Sequence, residues 1–440
     1  MEQERVARDN LKRRFTQTQS DVSYTILMLV PELSEQVLRE MDLDAITQEL
    51  QRARITQSSL SASVASSVEL VEATDSRSES GTSYSGSAST QSWIETGQPG
   101  GSREMILGES VAPVHLSDSL MTTTSTDSSS NVSIQGSAVD STSGSESPRP
   151  TKAELWNELK MLTFTRTLTT VYTTTLLALL TTVQLTLLAR GRYVRSVVQL
   201  ERQQRHQQAL EEGDFAAGFG WEENDEDAED EEEVASAKYL TMTWWILHVG
   251  WKDVGERVGG VVSLKTKLAP SDLHRLVHDV RRRVEHEVTF EGTERKVEFH
   301  TTLLPQTPET TQHVLTQGGY ASALPPRPAP QNDAFARLLA ETREIVASPD
   351  FACVFEACLD RATEVLLSSV ENAVFASATD AVAPGEEVRI RLAGLLPGLA
   401  RWSHLALNGL PNELVDNILD VRQVAALSAI IFGRFEERFQ

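Results

Sequence analysis

The sequence predicts an all-α protein, an elongated helical bundle of about eight helices with long disordered insertions. Apolar residues recur at helical spacing through most of the chain, the pattern of helices that bury one face. Strand-like and helix-like segments do not alternate along its 440 residues, which argues against a doubly wound α/β fold. Two stretches of biased composition, one rich in Ser, Thr and Gly and one acidic, interrupt the pattern.

Residues 1–56 are read as the N-terminal helices of the bundle. The run SDVSYTILMLVPELSEQVLREMDLDAITQELQRARI carries the helical spacing, and Pro31 marks a break or a new helix start. Residues 57–150 are dominated by Ser, Thr and Gly (SGTSYSGSAST, TTTSTDSSSNVSIQGSAVDSTSGSES). Such a segment buries too little apolar surface to offset its ordering entropy, so a disordered insertion is expected. Residues 151–210 form a long central helix and its continuation, with Gly191 as a C-terminal stop and a polar helix after it. Residues 211–236 are expected to be an acidic disordered loop. Its core, 211–233, holds thirteen acidic residues and no basic one, more than half of the net charge of −23.

Residues 237–440 complete the bundle. Helical patterning runs through 237–290, RKVEFHTTLLP is a candidate short strand, and ALPPRPAPQ is a Pro-rich loop. Ser348-Pro349-Asp350 is a helix start, with Ser as cap and Pro at the first helical position. An amphipathic helix around LVDNILDVRQVAALSAIIFGRFEERF ends the chain.

The stretch RTLTTVYTTTLLALLTTVQLTLLAR (166–190) holds twenty-three uncharged residues between two arginines. That length reaches about 35 Å as a helix, enough to cross a bilayer. Composition points to a buried helix instead: nine of the twenty-three are Thr, and Tyr172 and Gln184 add two more polar groups. On a helical wheel Leu168, Tyr172, Leu176, Leu179, Leu180, Val183 and Leu187 form one stripe and most Thr residues lie elsewhere. The membrane span stays as the alternative.

Chemistry is sparse. No P-loop, dinucleotide fingerprint, nucleophile elbow or HExxH is present, and the acidic balance is unsuited to nucleic acid. His274 and His278 share a helix face, but no third metal ligand stands at an obvious spacing, and Arg275, Arg281, Arg282 and Arg283 oppose a cation. The arginines are read as a solvated helix face. Cys353 and Cys358, five apart, fit neither CxxC nor a zinc site and are read as buried reduced thiols. No metal or cofactor is expected.

Trp156 is more informative. Lys152, Trp156 and Leu159 share a face near the start of the central helix, and Trp156 lies away from the stripe of Met161 and Leu168. Two readings stay open: an exposed anchor for a partner helix, or a Trp packed against a neighbouring helix.

The run ELWNELKMLTFTRTLTTVY (154–172), followed by TVQLTLLARG, resembles a signature segment of the peroxin-3 family. ERVARDNLKRRF near the start is similar to that family's sequence just after its membrane anchor, and ETREIVASPDFACVFEACLDR (341–361) is similar to a C-terminal family block. KYLTMTWWILHVG, VVSLKTKL and NELVDNILDVRQVAAL keep the family's order, while 58–150 and the acidic loop fall outside the resemblance.

The resemblance implies a helical bundle on the cytosolic face of the peroxisomal membrane, a docking receptor and not an enzyme. Its partner would be the import chaperone peroxisomal biogenesis factor 19, whose N-terminal amphipathic helix lies in an apolar groove so that cargo membrane proteins are inserted. By that likeness Trp156 is the aromatic anchor, Leu50 and Leu159 the groove wall, and Lys152 a rim charge. Inheritance or autophagy adaptors would use another surface, which the sequence does not place. The family's N-terminal anchor precedes the point where this chain begins, so this polypeptide is expected to stay aqueous, with 166–190 as the central buried helix.

Overall fold

In chain order the helices are α1 (Glu2–Glu40), α2 (Leu43–Ser66), α3 (Lys152–Glu211), α4 (Glu223–Leu240), α5 (Thr243–Trp245), α6 (Trp251–Gly259), α7 (Pro270–Glu285), α8 (His300–Leu303), α9 (Pro308–Gln317), α10 (Ala334–Val346) and α11 (Pro349–Val370). They end with α12 (Leu392–Asn408), α13 (Glu413–Leu419) and α14 (Arg422–Gly433), and π-helical turns lie at Ile246–Gly250 and Glu371–Phe375. This is an all-α bundle, known from a computed structural model that describes residues 2–66, 150–211, 223–261, 267–288, 292–320, 334–376 and 389–434. They belong, apart from Pro150 and Thr151, to the unit made of Met1–Arg77 and Lys152–Gln440. Residues 67–149 and 212–222, the Pro-rich stretch 321–333 and the tail 435–440 lie outside the described residues, so most of the insertion and the first part of the acidic loop are not described.

α3 is the axis. Its 60 residues span about 90 Å at 1.5 Å per residue. α1, α2, α6, α11, α12 and α14 pack around it. Arg14 Nη1 donates to Ser196 Oγ at 3.1 Å and Arg166 Nη1 to the Met41 carbonyl at 3.4 Å, so α1 runs antiparallel to α3. α1 buries Val22, Ile26, Val30, Leu33 and Val37 against it, one helical face.

The uncharged run is buried on every side: 94% of its most apolar window is inside the protein. The expected polar face of Thr residues is therefore not a face toward water. Thr163, Thr167, Thr170, Thr173, Thr175, Thr182 and Thr186 return their hydroxyls to the carbonyl four residues back, at 2.6–2.9 Å. That satisfies the hydroxyl locally and leaves the methyl to pack. Gln184 is satisfied from outside the helix: its Nε2 donates to the Tyr239 carbonyl at 3.1 Å and its Oε1 accepts from Thr243 Oγ1 at 2.7 Å.

Several expectations are corrected. Pro31 lies inside the continuous α1; it faces solvent, while Val30 and Leu33 beside it are buried and hold the helix through the lost hydrogen bond. Gly191 does not stop α3. A stop of that kind needs a left-handed residue, and the left-handed glycines among the described residues are Gly292 and Gly319. Beyond it, α3 is held by Arg14 over the Tyr193 ring and by Tyr193 against Phe432. α2 runs ten residues past 56, to Ser66. Residues 223–236 of the acidic segment are helical, in α4, where Glu232 pairs with Arg195 and Ala235 and Tyr239 are buried.

Strand content is two short antiparallel pairs among the described residues. Lys267–Leu268 (β1) pairs with Ile390–Arg391 (β4), and His286–Val288 (β2), patterned as the end of a helix, pairs with Glu294–Lys296 (β3), which overlaps only the first two residues of the expected strand; His300–Leu303 of that stretch is the helix α8 instead. Ser348 caps α11 as expected, accepting from Phe351 N at 3.2 Å with Pro349 in the first turn.

Candidate partner-binding site

The start of α3 sorts its side chains by helical phase. Leu155 and Leu159, one turn apart, are buried; Lys152 is exposed; Trp156 is half-buried and packs against the core cluster. Lys160 Nζ donates to Asn157 Oδ1 at 2.6 Å on the outer side. The exposed reading of Trp156 is thus corrected to a partial one, because the ring lies across the edge of the bundle.

α2 packs on α3. Asp42 opens it, with Oδ1 accepting from the backbone N of Asp44 at 2.9 Å and of Ala45 at 3.1 Å. Leu43, Ile46 and Leu50 then form its buried stripe. Leu50 and Leu159 are each only 8% exposed, so they back this region and do not form an open groove wall. Among the described side chains of α2, the large apolar one that is exposed is Ile55, at 67%. It was legible in the sequence as an apolar residue off the stripe of Leu43, Ile46 and Leu50 and next to Arg54. The outer residues of α2 thus include exposed Ile55, Arg52, Arg54 and Glu49, and those at the start of the α3 it packs on include half-buried Trp156 with Lys152, Glu154 and Glu158.

Beneath it sits Arg166, which joins three elements. Its Nη1 donates to the Met41 carbonyl, its Nη2 to the Ala400 carbonyl at 3.2 Å, and its Nε to Ser403 Oγ at 3.2 Å. Burial lowers its pKa to about 10, against the opposing pull of Asp44 and Asp42. The junction of α1 and α2 and the middle of α12 are thereby clamped to α3.

The other candidates fall as follows. His274 Nε2 lies 2.7 Å from Glu371 Oε1, and no group of three or more His, Cys, Asp or Glu able to hold a metal ion occurs among the described residues. Arg281 is not on a solvated face. It is buried, with Nε on Glu285 at 2.9 Å and Nη1 on Asp360 at 2.8 Å. Cys358 is buried but Cys353 is exposed, correcting the reading of both as buried. A second apolar surface went unnoticed in the sequence: Leu405 and Leu410, 52% and 80% exposed, flank a groove of about 550 Å³ with Trp402 and Leu414. No periodicity signals it, because α11, α12, α13 and the connection between the last two build it together.

The sequence profile of the Peroxin-3 family matches residues 1–434. The chain is 26% identical over 463 aligned positions to peroxisomal biogenesis factor 3 of Yarrowia lipolytica, covering 98% of this chain and 90% of that protein. It is 24% identical to peroxisomal biogenesis factor 3 of Kluyveromyces lactis, over 85% of this chain and 75% of the relative. A match to the protein named peroxisomal membrane protein PEX3 in Komagataella phaffii, at 24% identity, covers 58% of this chain and 43% of that one.

Proposed function

Because the chain belongs to the Peroxin-3 family, we propose that it acts in peroxisome biogenesis at the peroxisomal membrane, as the docking receptor for the import chaperone peroxisomal biogenesis factor 19. The chaperone's amphipathic helix lies across the start of α3. Trp156 is the aromatic anchor, Ile55 extends the apolar contact along α2, Lys152 supplies a rim charge, and Leu50 and Leu159 stiffen the base from below. Docking brings cargo membrane proteins to the membrane for insertion.

The observation that carries the reading is the half-buried Trp156 at the start of α3, together with the exposed Ile55 of α2, the helix that packs on α3. A ring held by the core on one side and open on the other is pre-ordered, so little entropy is lost when a partner covers it. The reading that 166–190 crosses a membrane is disfavoured by its burial inside the bundle. A helical scaffold for another amphipathic helix is the remaining alternative.

The test is a titration of the purified chain with a fluorescent peptide of the chaperone's N-terminal helix. Trp156→Ala should lose about 2 kcal/mol or more, roughly thirty-fold in affinity. Because Trp156 also touches the core, Ile55→Glu serves as the surface variant: it should weaken binding with an unchanged melting temperature. Wild-type chain that is folded yet binds no peptide would defeat the receptor reading. Tight binding indifferent to both variants would move the site elsewhere.

A further inference from the structure

A cleft between the β2–β3 hairpin and the α10–α11 junction holds about 280 Å³. It is lined by Phe299, Phe351 and Phe355, with Val346 and Ala352 completing an apolar wall. Glu285, a residue 9% exposed, also lines it. Glu285 Oε1 accepts twice, from Tyr172 Oη at 2.8 Å and from Arg281 Nε at 2.9 Å. Oε2 takes no hydrogen bond from the described residues and is not among their fully buried unpaired atoms, so it is an acceptor that stays reachable by solvent.

The charge balance around the cleft also favours a cation. Arg281 serves Glu285 and Asp360 together, Lys296 pairs with Glu356 at 2.7 Å, and Arg295 lies 3.6 Å from Glu298. Of the charged residues that line the cleft, Glu285, Glu298 and Glu356 are carboxylates and Lys296 is the one permanent cation, so even with Arg281 behind Glu285 the carboxylates outnumber the cations. His300, 3.4 Å from Glu298 through Nδ1, adds positive charge only when protonated. The aromatic walls favour a cation further, through the negative faces of their rings.

We propose that this cleft binds a primary ammonium group carried on an apolar chain, with Glu285 Oε2 accepting from the ammonium and the phenylalanines enclosing the chain. The volume lies just under the lower end of small-molecule sites, about 300 Å³. That admits an aliphatic amine or the side chain of a lysine and excludes a nucleotide. The site is separate from the start of α3 and does not depend on the docking reading.

The experiment is ligand-observed NMR titration of the full chain with n-hexylammonium, n-hexanol and Nα-acetyl-lysine methylamide. The ammonium should bind about tenfold or more tightly than the alcohol of equal length, as a charge-assisted hydrogen bond requires. Glu285→Gln should erase that preference. Because Glu285 also holds Arg281 and Tyr172, Ala352→Trp, which fills the cleft without touching that network, is the second variant and should abolish binding while leaving the melting temperature intact. Binding of the lysine derivative assigns the site to a partner's side chain, and binding of the free amine alone assigns it to a small molecule; both support the proposal. Equal affinity for amine and alcohol, no binding of any probe, or binding that survives Ala352→Trp overturns it.

Discussion

Arg166 of α3 donates through Nη1 to the carbonyl of Met41, 3.4 Å away, at the end of α1. Its other two contacts, to the Ala400 carbonyl and Ser403 Oγ, lie on α12. One buried cation with no carboxylate ion pair among the described residues therefore fixes three helices. Removing it takes the donor from the Met41 carbonyl in a buried site, while the Ala400 carbonyl keeps Ser403 Oγ at 2.9 Å. Arg166→Ala should cost about 3 kcal/mol in denaturant unfolding. Arg166→Lys should recover only part of that, since a single ammonium cannot fork to acceptors on both helices. A Lys variant as stable as wild type would show that the charge alone matters.

The hydroxyls of Thr174 and Thr181 are buried in α3 and have no hydrogen-bond partner, unlike the back-bonded threonines around them. An unpaired buried hydroxyl is a cost that the isosteric Val removes. Thr174→Val and Thr181→Val should each stabilise the protein by about 1 kcal/mol. Thr175→Val, which gives up the 2.8 Å bond to the Val171 carbonyl, should gain less. Urea midpoints for the three variants test the order, and a loss of stability at Thr174 or Thr181 would refute it.

Gly250 meets α8 at close range: a Cβ there would lie 2.0 Å from the Thr302 carbonyl oxygen and 3.0 Å from its carbon. Backbone cannot swing aside as a flexible side chain does. Gly250→Ala should destabilise by about 3 kcal/mol, the upper part of the range for overpacking. By contrast Gly433→Ala, where a Cβ meets nothing within 4 Å, should be nearly neutral. Thermal melts of the pair give the comparison.

The two cysteines should differ in reactivity. Cys353 is exposed, while burial pushes the Cys358 thiol from 9.0 up to about 12. A thiol reagent at pH 8 should modify one cysteine in the native chain and both in denaturant. The raised folded-state value means that Cys358 favours the fold fully below about pH 9, and that this contribution is lost as pH rises toward 12. Wild type should therefore lose more stability between pH 8 and about pH 10.5 than Cys358→Ala does. Equal slopes would place the pH dependence elsewhere.

The sequence by itself determined the class of the fold and the ends of some elements. The spacing of Val22, Ile26, Val30, Leu33 and Val37 states which side of α1 is apolar, and the Ser348-Pro349 start of α11 is a local matter of one hydroxyl and one backbone N–H. The nine threonines of the uncharged run argued for protein surroundings over lipid. Tertiary structure decided what covers each face. Helical phase puts Lys152, Trp156 and Leu159 near one another, but only the neighbouring helices bury Leu159, leave Lys152 in water and cover half of Trp156. The same holds for Arg281: in sequence it is one of three consecutive arginines, and Glu285, Asp360 and Tyr172, up to 109 positions away, make it the buried one. Periodicity is a property of one segment, whereas burial and pairing belong to two surfaces meeting, and a single strand of sequence records only the first.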